Sequence, residues 1–179
     1  MEENKNLLVK KERMLAWLLR HDKSYKFDKH GWRTVEDIIV NHNYTQELLD
    51  QIVETSNKKR FEYNEDKTKI RARQGHSIQV DVELKEVIPP DILYHGTSKI
   101  AAESIKIEGL KKMNRLYVHL TDKIEMAKST GMRHAKTNDN LCIFCLDCKK
   151  MVQDGFKFLK SNNGIYLIDH VPSKYLKIK

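Results

Sequence analysis

The chain contains no apolar run near the roughly 20 residues that cross a bilayer. Its first residues, Met1-Glu2-Glu3-Asn4-Lys5, lack the hydrophobic stretch of a secretory signal. The expectation is a cytoplasmic protein without membrane contact. Cysteine is scarce, with only Cys142, Cys145 and Cys148. An odd number of clustered thiols fits a reducing compartment better than a disulfide framework. Their spacing invites a metal, but a structural zinc needs a fourth ligand and a tight turn. The run Leu141-Cys142-Ile143-Phe144-Cys145-Leu146-Asp147-Cys148 reads instead as a buried strand, on which a spacing of three sends successive cysteines to opposite faces. No metal is expected. Gly-x-Gly-x-x-Gly and Walker-type lysine loops are missing, so a bound nucleotide would not be held in Rossmann or P-loop geometry. No carboxylate pair or Ser-His-Asp order stands out, which leaves hydrolytic mechanisms little support. Neither an internal repeat nor a low-complexity tract is present.

What the chain has in excess is positive charge. Its 33 Lys+Arg against 25 Asp+Glu give a formal charge of +8, which favours polyanionic partners, nucleic acid foremost. A length of 179 residues, 40 % hydrophobic, supplies one medium core or two small ones.

Periodicity predicts a helix over 7–20, with Leu8, Leu15, Leu18 and Leu19 at helical spacing. A second helix is expected over 34–41, with Thr34 as N-cap and Glu36-Asp37 in its first turn. A third spans 45–57, capped by Thr45, with Leu48, Leu49, Ile52 and Val53 facing inward. Two strands, 60–64 and 69–73, follow around the turn Glu65-Asp66. This part reads as a winged-helix-like lobe over 1–88. The chain's only Pro-Pro, in Val87-Ile88-Pro89-Pro90-Asp91, is the candidate linker. Beyond it, strands at 92–94, 116–120, 141–146, 156–158 and 165–168 alternate with helices at 100–108 and 123–134. A mostly antiparallel β-sheet lobe over 89–179 results, and the fold class is α+β.

The segment Leu93-Tyr94-His95-Gly96-Thr97 and the later Arg115 and Val118-His119-Leu120-Thr121 place histidines, an arginine and hydroxyls at the ends of two strands. Glycine after a strand end lets backbone come close to a ligand, so a binding cleft is the favoured reading, with a strand-to-helix cap at Thr97 or Ser98 as the alternative. Further basic motifs are Arg20-His21, Lys58-Lys59-Arg60-Phe61, and Ile70-Arg71-Ala72-Arg73-Gln74-Gly75-His76-Ser77. Arginine's planar fork of donors matches phosphate and stays charged at any working pH.

In this order, the motifs resemble the RNA 2′-phosphotransferase family: Leu18-Leu19-Arg20-His21, Gly31-Trp32, Lys59-Arg60-Phe61, Ile70 through Ser77, Tyr94-His95-Gly96-Thr97, Gly109-Leu110 with Met113 and Arg115, Val118-His119-Leu120, and Ser161-Asn162-Asn163-Gly164-Ile165. The resemblance runs from about residue 12 to about residue 176. It implies an N-terminal winged-helix-like lobe and a C-terminal ADP-ribosyltransferase-like lobe.

The activity implied is NAD-dependent removal of an internal, splice-junction 2′-phosphate from RNA, classically tRNA, and hence a role in tRNA splicing. The phosphate displaces nicotinamide from NAD, and the ribose 2″-hydroxyl then attacks it. RNA with a 2′-hydroxyl and ADP-ribose 1″,2″-cyclic phosphate are released. By motif position the catalytic quartet is Arg20, His21, Arg60 and Arg115, and His95, Gly96, Thr97 and His119 cradle NAD. Arg71, Gln74, His76 and Ser77 lie where a contact to NAD or RNA is expected. The chain departs from the family at Tyr117 (often histidine), Thr121 (often serine) and Glu12-Arg13 (usually Ser-Lys). A monomer is expected. The competing readings are an ADP-ribosyltransferase that stops after the first step and acts on nucleic-acid ends or protein, and a non-enzymatic winged-helix nucleic-acid binder.

Overall fold

Helix α1 (Glu2–Arg20) forms around the leucine spacing seen in the sequence, and Leu15, Leu18 and Leu19 are all buried. Each such side chain contributes about 2 kcal/mol on leaving water. The helix is longer than periodicity suggests, because its first turn carries no apolar repeat to mark it. The structure, a computed structural model, describes residues 2–56 and 59–179, residues 2–5 by their backbone alone. Asn57, the expected end of the third helix, and Lys58 of the basic run lie outside the described residues.

After β1 (Arg33–Thr34), Thr34 caps α2 (Val35–His42) by accepting from Asp37 N. Thr45 caps α3 (Gln46–Thr55) by accepting from Leu48 N, and Leu49 and Ile52 face inward. Both caps satisfy amide groups that a helix start leaves orphaned. Strands β2 (Phe61–Tyr63) and β3 (Lys69–Ala72) pair antiparallel, and β1 adds to β3. The three helices enclose a core of Leu15, Leu19, Ile38, Leu49, Phe61 and Ile70. The end of α1 is tied to β1 and α2 by Arg33, whose Nη1 donates to Asp22 Oδ2 at 2.7 Å and whose Nε donates to Asp37 Oδ2 at 2.5 Å. Arg33 and Asp22 are both buried, and Tyr25 stacks on the guanidinium.

The chain divides into two compact units, Met1–Glu83 and Leu84–Lys179. The boundary therefore precedes the Pro-Pro segment expected to be the linker between 88 and 89. The reason is β4 (Lys85–Val87), which pairs with β9 (Phe158–Lys160) and binds the residues before the prolines into the second unit.

In the second unit, β5 (Ile92–Ser98) runs straight into α4 (Lys99–Glu108), with Ser98 as N-cap. Then come β6 (Leu110–Lys111), β7 (Val118–Leu120), α5 (Ile124–Ala135), β8 (Leu141–Asp147) and α6 (Cys148–Gln153). After β9 follow β10 (Tyr166–Ile168), β11 (His170–Val171) and β12 (Leu176–Ile178). Sheet orders are β4-β9-β10-β7, β11-β6 and β12-β8-β5, and every pairing is antiparallel. Among the described residues the fold is thus mixed, with six α-helices and several antiparallel sheets.

Two expectations shift here. The residues at 156–158 were expected as a strand, but Phe156 N bonds back to Met151 O behind α6, and the strand starts at Phe158. His95, Gly96 and Thr97 do not follow a strand end; they lie inside β5, paired with Phe144, Ile143 and Cys142 of β8. Cys142 and Cys145 alternate in β8, whereas Cys148 opens α6 and is buried, its thiol pushed up to about 12 by burial. Among the described residues no helix is long and apolar enough to cross a membrane.

Candidate active site

In the first unit, the end of α1 meets the turn after β3. His21 N bonds to Trp17 O at 2.9 Å, which carries the helical pattern one residue past Arg20. Ser77 N donates to Arg20 O at 3.0 Å, and the Ser77 hydroxyl lies 2.9 Å from His21 Nδ1. Gly75, at φ +90°, leaves the Arg20 guanidinium free to lie against its backbone; a Cβ there would be 3.4 Å from Cζ. The motif Gln74-Gly75-His76-Ser77 therefore folds onto Arg20-His21, as two segments far apart in sequence.

His76 lies below this surface, 2 % exposed. Burial first, then the positive charge of Arg20, His21 and Arg71, holds its pKa down at about 3, so it is neutral. Its Nε2 is buried and without a hydrogen-bond partner among the described residues. The same charges that discharge His76 make the surface above it attractive to an anion.

Arg60 precedes β2. Its Nη1 donates to Glu12 of α1, and Glu12 also accepts from the Ser56 hydroxyl at 3.0 Å. Glu12 drew notice in the sequence only as a departure from the family's serine; the 48-residue separation from Arg60 hid the pairing. Arg71 sits differently from the expectation of a ligand contact. It is buried, donates to Glu62 at 2.7 Å, to Glu83 at 3.0 Å and to His30 O at 3.3 Å, and stacks on Trp32. Its guanidinium is thus committed to the protein's own groups. Gln74 is half-buried at the start of the turn.

In the second unit, His95 Nδ1 lies 3.1 Å from His119 O, so β5 and β7 bring the two histidines together. Tyr94 and Thr121 form a β-bridge beside them. The His95 pKa is lowered, first by burial and then by the positive charge of His134 and Arg115, against the pull of the His119 carbonyl. Arg115, in the exposed loop before β7, therefore faces His95 electrostatically; partial desolvation lowers its own pKa, and it stays charged. His134, in the last turn of α5, is the residue that sequence reasoning missed; nothing local marks it, since its nearness to His95 comes from helix packing.

Gly96 has a role other than the expected open approach for a ligand. A Cβ on Gly96 would lie 1.9 Å from Ala127 O, and one on Gly131 would lie 2.9 Å from the Gly96 carbonyl carbon. The space beside Gly96 is filled by α5, whose backbone rests on β5. Thr97, in the same strand, is buried.

Comparison with known sequences adds to this geometry. The pattern of the RNA 2′-phosphotransferase, Tpt1 / KptA family matches residues 7–170. The chain belongs to the RNA 2′-phosphotransferase family. Its similarity to members of this family extends over most of each chain. A protein of Fusobacterium nucleatum named "Probable RNA 2′-phosphotransferase" is 46 % identical over 177 residues, covering 94 % of this chain and 97 % of that one. One of the same name from Flavobacterium johnsoniae is 43 % identical, covering 98 % and 99 %. The Trichormus variabilis protein, again of that name, is 44 % identical over 82 % and 81 %. The match to the RNA 2′-phosphotransferase family spans Arg20, His21, Arg60 and the Gln74–Ser77 turn in one unit, and His95, Arg115 and His119 in the other.

Proposed function

We propose that the chain removes an internal 2′-phosphate from RNA, in the manner of a splice-junction phosphate of tRNA, using NAD as co-substrate. The observation that carries this is the convergence of Arg20, His21 and Ser77 over a neutral, buried His76, together with membership of the family. A phosphate monoester needs fixed positive donors, and a guanidinium packed flat against Gly75 is fixed before the substrate arrives. In this reading the first unit is winged-helix-like and the second ADP-ribosyltransferase-like.

The donor set of the second unit fits NAD. Arg115 supplies a permanent cation for a pyrophosphate. His95 supplies an uncharged imidazole that, with Nδ1 turned to His119 O, has Nε2 for a ribose or amide contact. Thr97 and His119 complete the set, and Gly96 holds the strand at the right height by letting α5 seat on it. When bound, NAD supplies an activated ribose that takes the phosphate from RNA, so that nicotinamide, 2′-hydroxyl RNA and ADP-ribose 1″,2″-cyclic phosphate are the products. In the first unit, Arg20 and Arg60 offset the negative charge of the phosphate, and Glu12 orients the Arg60 fork from behind.

The test is incubation with NAD and a short RNA carrying one internal 2′-phosphate. Loss of that phosphate with formation of ADP-ribose cyclic phosphate is expected. Arg115→Ala or His21→Ala should lower turnover by about 10²-fold or more without unfolding the chain. Persistent ADP-ribosylated RNA, or no consumption of NAD, overturns the proposal.

A further inference from the structure

Helix α1 has a second face that the core does not use. Leu7, Met14 and Trp17 are 54 %, 52 % and 50 % exposed, and Trp17 with Met14, Lys10 and Arg13 lines a shallow concavity. At 3.6 residues per turn, positions 7, 10, 14, 17 and 21 fall on one stripe. That stripe is turned away from Leu15 and Leu19, and its apolar side chains stay half-exposed, so packing within the unit does not account for it. It leads directly to His21, because the His21 N to Trp17 O bond keeps the helical geometry to that point.

We propose that this face is a stacking platform for single-stranded RNA, with the base of a nucleotide next to the 2′-phosphate lying on Trp17 and its backbone on Lys10 and Arg13. The proposal builds on the reading that His21 faces the RNA phosphate. Three features select RNA over another occupant. An exposed indole is a platform for any base, since every base has a π-face. The charged side chains at positions 10 and 13 are both cationic, which suits a polyanion and opposes packing against a second copy of the same basic stripe. Trp17 and His21 are one helical turn apart, ~6 Å along the axis, within the reach of adjacent nucleotides.

The experiment reads binding rather than turnover. A short single-stranded RNA with 2-aminopurine beside a 2′-phosphorylated nucleotide is titrated into the full chain without NAD. Its fluorescence should be quenched on binding, and Trp17→Ala should remove the quench and weaken binding about tenfold or more. Trp17→Phe should restore most of both, and Val40→Ala, at an exposed site on α2, should change neither. Arg13→Ala should lower the slope of log affinity against log salt by about one. Wild-type quench and affinity in Trp17→Ala would overturn the platform while leaving the 2′-phosphotransferase reading intact. Trp17-dependent binding in a chain without turnover would do the reverse. A dimer in sedimentation that Trp17→Ala dissociates, with RNA binding unchanged, assigns the face to a second copy and also overturns it.

Discussion

The neutral state of His76 has a measurable consequence for stability. In the unfolded chain its imidazole takes up a proton near its ordinary value of 6.5, but in the folded chain only near 3, because burial and then Arg20, His21 and Arg71 oppose the charge. Between those values the unfolded state holds the extra proton. The folded pKa is depressed, so stability is fully present above pH 6.5 and is lost as pH falls toward 3. Each pH unit in that window removes ~1.4 kcal/mol, so acidification to about pH 5 removes ~2 kcal/mol through this residue alone. The comparison is urea unfolding of wild type and His76→Leu at about pH 7.5 and about pH 5, with the imidazole carbon resonances followed by NMR. Wild type should lose ~2 kcal/mol more than the variant, with the His76 ring silent across the range. A folded-state ring titrating near its ordinary value, or equal acid sensitivity of both proteins, would refute the reasoning.

Two further substitutions test the packing. Gly96→Ala places a methyl 1.9 Å from Ala127 O, a backbone atom that cannot swing away; a loss of about 3 kcal/mol or more is expected by chemical denaturation, since α5 must lift from β5. Arg33→Ala leaves Asp22 buried without its cation. Burial alone would raise the Asp22 pKa, but hydrogen bonds from Ser24 and Arg33 and the Arg33 charge hold it below the ordinary carboxylate value. Removing Arg33 should therefore destabilise by about 3–5 kcal/mol at neutral pH, with part of the loss recovered as Asp22 takes up a proton in acid.

What could be read from the sequence was local. Helices α2 and α3 were legible because Thr34 and Thr45 announce their own caps and the apolar spacing follows at once. The pair β2–β3 shows as apolar and charged residues alternating on either side of a polar turn, and β5–β8 as apolar runs, but the full length of β5 does not show. His-Gly-Thr looks like a strand's end, and only the distant β8 and α5 make it a strand's middle. Strands β4, β6, β11 and β12 are two or three residues long and exist through partners remote in the chain, so no local pattern marks them. The candidate site divides in the same way. Arg20, His21, Arg60, His95, Arg115 and His119 stand out as motif residues, whereas Glu12 behind Arg60 and His134 beside His95 gain their places only from folding. Arg71 shows the converse: a motif arginine whose partners, Glu62 and Glu83, make it a strut of the first unit.

The contact between Ser77 and His21 serves the imidazole in either of its proton arrangements. A hydroxyl both donates and accepts, and that of Ser77 has His21 Nδ1 at 2.9 Å and the Arg20 carbonyl at 3.5 Å. It donates to Nδ1 when that nitrogen is bare; when Nδ1 carries the hydrogen, the hydroxyl accepts it and turns its own hydrogen to the Arg20 carbonyl. The ring is therefore held at the same nitrogen whichever way its proton lies. A serine hydroxyl, 56 residues away in sequence, thereby lets His21 change its proton arrangement without losing its anchor.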